Sequence, residues 1–265
     1  MPRPRGRTRT LSRPTFSVVF YTLIRTGRQW RPLLEQQLGD VQASGIAAAA
    51  SSFDVVLAGD STHLFDDAVE QTLDSADQSV RSILPAADVW KYPINRFECP
   101  GIRRAWDVAR GVDEGSRERH WVLYFHGKGM VNHGSERAPW NKELTDNDVV
   151  RWRQVLAALD AQPDIQKAGY AGSDAGHTWF NFWWARASYM QVLARPEVTP
   201  DRFYYERWIG RVTDGADAAT RALGAANTTL TLCPANRGLS PGFRTFPGNS
   251  ELIAEHCAAV TPGLW

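Results

Sequence analysis

Short runs of consecutive apolar residues, each ending in glycine or a polar residue, dominate the first half of the chain. The clearest covers residues 121–125 and is followed directly by His126-Gly127-Lys128-Gly129. A run this short and this rich in aromatic and branched side chains favours a strand buried on both faces, because a helix needs a longer periodic pattern. The sequence therefore predicts a central strand that ends in a polar, glycine-rich turn.

Similar runs predict three earlier strands, and helical patterns lie between them. The predicted strands cover residues 16–24, 53–60 and 88–92. Apolar residues recur at helical spacing over residues 30–41, 66–84 and 102–109. Strands that alternate with helices in this way are typical of parallel sheets with right-handed crossovers. The predicted fold class is α/β, with a mostly parallel central sheet flanked by helices.

The second half of the chain departs from this alternation. Its patterns predict a helix over 144–159, a short strand over 167–171, helices over 187–193 and 203–209, a surface helix or loop over 214–228 and a late strand over 229–232. Between these elements lies a nearly continuous aromatic segment at 179–185. The sequence shows no repeat and no clear domain boundary. We expect one domain over 15–265, irregular and rich in aromatic residues in its C-terminal half.

Composition excludes several classes of function. The 265 residues are 43% hydrophobic with a net charge of +1, so there is no overall positive field that would favour nucleic acid. The three cysteines lie far apart, which favours reduced thiols and a cytoplasmic location. No apolar run approaches the roughly 20 residues of a membrane helix. Residues 1–14 carry many arginines and predict a disordered tail, either simply solvated or attracted to anionic lipid or polyanions.

Well-known catalytic motifs are absent from the sequence. There is no phosphate-binding loop, no dinucleotide-binding GxGxxG at a strand–helix junction, no HExxH and no GxSxG. The segment Gly172-Ser173-Asp174-Ala175-Gly176 lacks the glycine pattern of a nucleophile elbow. His126 and His133 are candidates for a shared metal, but the spacing fixes no third ligand.

The aromatic segment has the composition of a carbohydrate site. A sugar ring presents C–H faces and a rim of hydroxyl groups, which suit aromatic faces combined with Asn, Asp or Glu. Asn181 lies among Trp179, Trp183 and Trp184. The alternative is that the aromatic side chains fill the core, as most do. Asn181 differs from them because a polar group within an apolar run must find hydrogen-bonding partners.

Several segments resemble one family. VLYFHGKG (122–129) resembles the VLYxHTKG motif of a family of bacterial and phage-encoded glycosyltransferases of the GT-A type. NFWWARASY (181–189) is similar to its GNFWWA segment, and RFYYERWIG (202–210) to its R-Y-x-x-E-x-W-I-G segment. QWRPLLEQQLGDVQASGI (29–46) and FECPGIRRAWDVA (97–109) also resemble family features. Gly127 stands where the family usually has Thr, and Phe180 where it usually has Gly.

The resemblance implies a GT-A-like fold and transfer of a sugar from a nucleotide-diphospho-sugar, with UDP favoured, to a hydroxyl acceptor. Glu206 is the candidate base for the acceptor, and His126 and Lys128 are expected to face the diphosphate. Predicted donor-binding residues are Thr22, Arg25, Asp60, Gly127, Gly129, Asn181 and Trp183. For Glu206 the alternative is a surface carboxylate paired with Arg202 or Arg207. Two other functions stay open for the whole chain: a non-catalytic sugar-binding or scaffold protein, and a sugar-phosphate nucleotidyltransferase.

The end of the fourth predicted strand bears on metal dependence. Most GT-A enzymes place Asp-x-Asp there, and its carboxylates hold Mn²⁺ or Mg²⁺ against the departing diphosphate. In this chain His126-Gly127-Lys128 takes that place, so we expect no metal site and no requirement for a divalent metal. Asp146-Asn147-Asp148 also matches the Asp-x-Asp pattern. It lies at a predicted helix start, however, where carboxylates usually interact with the helix dipole.

Overall fold

A computed structural model describes residues 14–63, 65–127, 139–173, 175–212, 216–224 and 228–232. The strands in these ranges are β1 (Thr15–Leu23), β2 (Phe53–Ser61), β3 (Asp88–Ile94), β4 (His120–His126), β5 (Lys167–Gly169), β6 (Trp183–Arg186) and β7 (Thr229–Thr231). The helices are α1 (Arg31–Ser44), α2 (Ile46–Ala49), α3 (Asp67–Ile83), α4 (Cys99–Gly111), α5 (Pro139–Thr145), α6 (Trp152–Asp160), α7 (Ala187–Met190), α8 (Arg202–Arg207) and α9 (Ala218–Leu223). Residues 1–13 of the predicted tail and the segment beyond 232 lie outside the described ranges.

The strands form a single sheet in the order β3-β2-β1-β4-β6-β5-β7. β1 runs parallel to β2 and β4, and β2 runs parallel to β3. β6 is antiparallel to both of its neighbours, β4 and β5. The predicted α/β fold with a mostly parallel sheet flanked by helices is thus confirmed. Because β6 runs in the opposite sense, its first residues lie at the edge where β1, β2 and β4 end.

Each face of the sheet packs against its own layer of helices. Phe20 and Phe125 belong to one core, together with apolar residues of α1 and α3. Tyr21 and Tyr124 belong to the other, together with residues of α4 and α7. Neighbouring residues of one strand fall in different cores because successive side chains of a strand point to opposite faces. Burial on both faces explains why β1, β2 and β4 are nearly continuous apolar runs.

Two helices differ from their predicted extents. The helix predicted over 144–159 is interrupted by a π-helical turn at Asp146–Val150, whose Asp148 carbonyl accepts a hydrogen bond from Trp184 Nε1 at 2.8 Å. The helix predicted over 187–193 ends at Met190, after which the backbone continues in tighter turns. The aromatic segment forms a short 3₁₀ turn, Trp179–Asn181, and then β6. Among the described helices, none combines the length and apolar character that crossing a bilayer requires.

Candidate active site

Polar residues gather at the edge of the sheet where the parallel strands end. The backbone N–H of Thr26, in the loop after β1, donates to the Asp60 carboxylate at the end of β2, with a distance of 3.3 Å between N and Oδ1. Arg25 is half-buried, and its Nε is shielded from solvent without a hydrogen bond to any described residue. In open α/β sheets ligands bind at this edge. The structure therefore brings together two of the predicted donor-binding residues, Arg25 and Asp60.

His126 closes the neighbouring strand, β4. Its Nε2 lies 2.9 Å from the carbonyl oxygen of Phe180. Since a carbonyl can only accept, Nε2 carries the hydrogen in this contact. The Gly127 N–H donates to the Tyr21 carbonyl at 2.7 Å and extends the pairing of β1 with β4 by one residue. Lys128 and Gly129 lie outside the described residues, so their predicted roles stay predictions.

Asn181 lies where the aromatic segment reaches the same edge. It is completely buried; its Nδ2 donates to Glu98 Oε2, and its Oδ1 accepts from Trp183 Nε1 at 2.8 Å. Trp183 in turn stacks on Tyr124, with ring centroids 5.0 Å apart. The buried amide therefore has a donor and an acceptor partner, as a polar group inside an apolar segment requires. Asn181 contacts Glu98 directly, and Trp183 orients the Asn181 amide.

Glu98 is the residue that these contacts converge on. Oε2 also accepts from the Tyr124 hydroxyl at 3.0 Å, so two donors hold the same oxygen. Oε1 accepts no hydrogen bond from the described residues, and Glu98 is only partly buried. One carboxylate oxygen is thus fixed by the fold while the other is available to a ligand.

The start of α4 brings Glu98 to this position. A Cβ at residue 101 would lie 2.6 Å from the Cβ of Tyr21, so Gly101 permits α4 to pack closely against β1. Glu98 was not among the residues that sequence reasoning selected. The available signal was a carboxylate between a predicted strand and the helix start at Cys99-Pro100-Gly101, but its partners Tyr124 and Asn181 are distant in sequence.

Backbone strain is concentrated around Glu98. In the described ranges, the non-glycine residues with positive φ are Phe97 at 51°, Phe180 at 70° and Asn181 at 56°. Phe97 precedes Glu98, Asn181 donates to it, and the Phe180 carbonyl contacts His126. Such conformations cost about 1–3 kcal/mol each and persist where the surroundings enforce them, often at functional sites. The Gly that the resembling family has at position 180 would adopt this φ without strain.

Two buried tyrosines beside Glu98 serve as hydrogen-bond donors. Burial raises the pKa of both Tyr21 and Tyr124 well above the usual value, and the Glu98 carboxylate raises each further. Both hydroxyl groups therefore stay protonated at neutral pH. Tyr124 donates to Glu98 and Tyr21 donates to the Phe97 carbonyl, so the pair fixes the backbone and the side chain of this turn.

Glu206, the predicted base, lies on α8. This short helix packs against the Trp179–Asn181 turn, so Glu206 belongs to the same end of the sheet. Glu206 is half-buried, and the neighbouring Arg207 pairs with Asp201 at 3.1 Å. Thr22 and Trp183, two predicted donor-binding residues, are completely buried. A direct contact from either side chain to a substrate would require a rearrangement.

Ser173, in the segment considered for a nucleophile elbow, contacts His177. Ser173 Oγ lies 2.8 Å from His177 Nδ1, and burial lowers the pKa of His177 to about 4, with smaller effects from Arg207 and Lys167. Ser173 N–H also donates to the His177 carbonyl at 2.8 Å, so the pair closes a tight turn.

The Asp146-Asn147-Asp148 segment does not present two carboxylates to one ion. Asp146 pairs with Lys142 at 2.9 Å, whereas Asp148 is completely buried. Burial raises the pKa of Asp148 well above its usual value, with a smaller opposite effect of the Tyr170 backbone N–H. Within the described ranges, no group of three or more His, Cys, Asp or Glu is arranged to hold a metal.

Comparisons with known proteins give only weak similarities. No protein-family model and no curated protein matches the chain. Among solved structures, a cytidylyltransferase from Leptospira borgpetersenii is 13% identical with a TM-score of 0.35, over 71% of this chain and 67% of that one. Core-mannan synthase A from Aspergillus fumigatus, in a Mn/GDP form, is 11% identical with a TM-score of 0.28, over 80% and 66%. A mannosyltransferase from S. cerevisiae is 14% identical with a TM-score of 0.29, over 92% and 80%. Similarities this low do not assign a function.

Proposed function

We propose that this protein is a glycosyltransferase of GT-A type that transfers a sugar from a nucleotide-diphospho-sugar to a hydroxyl acceptor. The observation that carries the proposal is the position of Glu98. A carboxylate with one oxygen fixed and the other available lies at the edge of the sheet where α/β proteins bind ligands, next to an exposed aromatic ring. The motifs of the resembling family supply several of the residues around it, including His126, Asn181 and Trp183.

The nucleotide and the diphosphate have separate candidate residues at this edge. Asp60 is suited to accept hydrogen bonds from the base or the ribose, and Arg25 supplies a guanidinium that binds phosphate oxygens. His126, whose Nε2 donates to the Phe180 carbonyl, lies at the end of β4 and is the candidate for the diphosphate. Lys128 follows two residues later and provides an ammonium group for the departing diphosphate. UDP stays the favoured nucleotide.

The proposed reaction moves one proton and breaks one bond to the donor. The acceptor hydroxyl oxygen forms a bond to the anomeric carbon, while the bond from that carbon to the diphosphate oxygen breaks. Glu206 takes the proton of the hydroxyl group, and the bonding electron pair leaves with the nucleoside diphosphate. Positive charge near the leaving oxygens stabilises the transition state, by about 2.7–4 kcal/mol per donor if oxyanion-hole deletions are a guide.

The test is to incubate the protein with a panel of nucleotide-sugars and follow free nucleoside diphosphate. A glycosyltransferase releases it, quickly with an acceptor and slowly by hydrolysis without one. A non-catalytic sugar-binding protein releases none. A nucleotidyltransferase instead releases pyrophosphate from a nucleoside triphosphate and a sugar phosphate. The second and third results would each overturn the proposal.

A further inference from the structure

Phe97 and Glu98 combine the two chemistries that a sugar ring requires. Phe97 is 41% exposed although its side chain is large and apolar, and Glu98 offers Oε1 as a hydrogen-bond acceptor. Aromatic rings pack on the C–H face of a pyranose, and carboxylates accept hydrogen bonds from its hydroxyl groups. The two residues are consecutive, so one short turn presents both groups at the carboxyl edge of the sheet.

The backbone of this turn is held in a conformation that a phenylalanine rarely adopts. Phe97 has φ of 51°. Its N–H donates to Asn95 Oδ1 at 2.9 Å, and its carbonyl accepts from the Tyr21 hydroxyl. The Phe97 ring lies near that of Tyr205 on α8, with centroids 6.4 Å apart. The strained backbone of Phe97 is held by hydrogen bonds at its N–H and its carbonyl, and the residue is exposed. This combination indicates a functional role.

Hydrogen bonds also hold the Glu98 carboxylate in place. Asn181 and Tyr124 both donate to Oε2, and Trp183 orients the Asn181 amide from the other side. These contacts stabilise one rotamer of Glu98 before any ligand binds. A pre-positioned acceptor costs a ligand little ordering entropy, which is the usual way that a binding site gains affinity.

We propose that Phe97 and Glu98 form a pyranose-binding subsite, in which the ring of Phe97 packs against a sugar and Glu98 Oε1 accepts a sugar hydroxyl. The subsite deepens the proposed function, on which it rests for the source of the sugar. That sugar belongs either to the nucleotide-sugar donor or to the acceptor. Glu98 is a binding residue in this proposal, and the role of proton acceptor stays with Glu206.

The experiment compares Phe97→Ala and Glu98→Gln with the wild type and with Tyr92→Ala. Tyr92 is the matched control because it is an aromatic residue of similar exposure, 37%, on β3. Calorimetry with UDP, GDP, UDP-glucose, UDP-galactose and GDP-mannose measures how much the sugar adds to nucleotide affinity. NMR titration with the methyl glycosides of the same sugars measures binding of the sugar alone. Phe97→Tyr retains an aromatic ring and is the conservative variant.

If the donor sugar occupies the subsite, Phe97→Ala and Glu98→Gln weaken nucleotide-sugar binding by about 10-fold or more and leave UDP and GDP binding unchanged. If the acceptor sugar occupies it, donor binding is unchanged and binding of a methyl glycoside falls by a similar factor. Phe97→Tyr retains most of the wild-type affinity. Tyr92→Ala changes neither nucleotide-sugar binding nor methyl glycoside binding. These results support the subsite.

Failure of the subsite and failure of the proposed function give different results. If the wild type turns over a nucleotide-sugar but the two variants bind every sugar ligand normally, the subsite is wrong and the proposed function stands. If the wild type binds sugars through Phe97 and Glu98 without releasing nucleoside diphosphate, the subsite stands and the enzyme assignment is wrong. Absence of both binding and turnover overturns both.

Discussion

Asn181 donates a hydrogen bond from Nδ2 to Glu98 Oε2 and so joins two residues that are 83 positions apart in the chain. Glu98 immediately precedes α4 in the parallel α/β half, whereas Asn181 precedes β6 in the aromatic half. The antiparallel direction of β6 is what brings its start to the edge where β1 and β4 end. The contact therefore depends on the topology of the sheet.

Loss of this contact should affect activity more than stability. Asn181→Ala leaves Trp183 Nε1 without its acceptor and Glu98 with one donor, which should cost about 1–3 kcal/mol of unfolding free energy. Trp183→Ala removes a completely buried ring and should cost about 3–5 kcal/mol. Urea unfolding of both variants, together with sugar transfer at a temperature where both are folded, separates the effects. If Asn181→Ala unfolds as readily as Trp183→Ala, Asn181 is structural.

At position 180 the glycine variant should be more stable than the alanine variant, which reverses the usual order of stability. Phe180 is buried and has φ of 70°, so both Phe180→Ala and Phe180→Gly lose the packing of the ring. Alanine keeps the left-handed strain, whereas glycine removes it. We expect the Gly variant to be more stable than the Ala variant by about 1 kcal/mol, measured by urea unfolding. Equal stability, or a more stable Ala variant, would mean that the turn does not retain this conformation.

Asp148 should make stability fall as the pH rises. Burial raises the pKa of Asp148 in the folded protein. The contribution of this shift to the free energy of unfolding is therefore fully present below the unfolded pKa of about 3.9, and it is lost as the pH rises through the folded pKa. Asp148→Asn has no such titration and should be the more stable protein at pH 7. Each kcal/mol gained raises Tm by about 2–4 °C. A variant that is less stable than the wild type at pH 7, and no longer responds to Mn²⁺, would instead indicate a metal ligand.

Donor turnover should survive the removal of divalent metal. In the proposed function, the Lys128 ammonium group supplies the positive charge that a carboxylate-bound metal supplies in most GT-A enzymes. We expect EDTA to leave most of the nucleoside diphosphate release intact, and Lys128→Met to reduce kcat by about 10²–10³-fold. Activity that EDTA abolishes and Mn²⁺ restores, with Lys128→Met nearly unaffected, would show that a metal provides this charge.

The parts of the fold that sequence predicts well are those set by local pattern. β1, β2 and β4 are buried on both faces, so each is a continuous apolar run that stands out from its surroundings. The aromatic segment gave no clear element, because a run of Trp and Phe suits a strand or a core helix equally. Its short 3₁₀ turn and strand depend on pairing with β4 and β5, and no local signal encodes that pairing.

The site is less predictable than the fold for the same reason. His126 and Asp60 were selected because each follows an apolar run directly. Glu98 was missed because the contacts that define its role come from Tyr124 and Asn181 on other strands and turns. The left-handed backbone at Phe97 and Phe180 was equally hidden, since nothing in a phenylalanine suggests a positive φ.

The most direct test of the account compares two histidines at opposite ends of β4. His126 closes the strand at the proposed diphosphate site, whereas His120 opens it at the other edge, within hydrogen-bonding distance of Thr15 and Ser17. The measurement is the rate of nucleoside diphosphate release from a nucleotide-sugar by the wild type, His126→Gln and His120→Gln, each confirmed as folded by circular dichroism. We predict that His126→Gln lowers kcat by about 10²-fold or more and that His120→Gln releases nucleoside diphosphate at a rate close to that of the wild type. Equal rates for the two variants, or no release from any nucleotide-sugar by the wild type, would contradict the account.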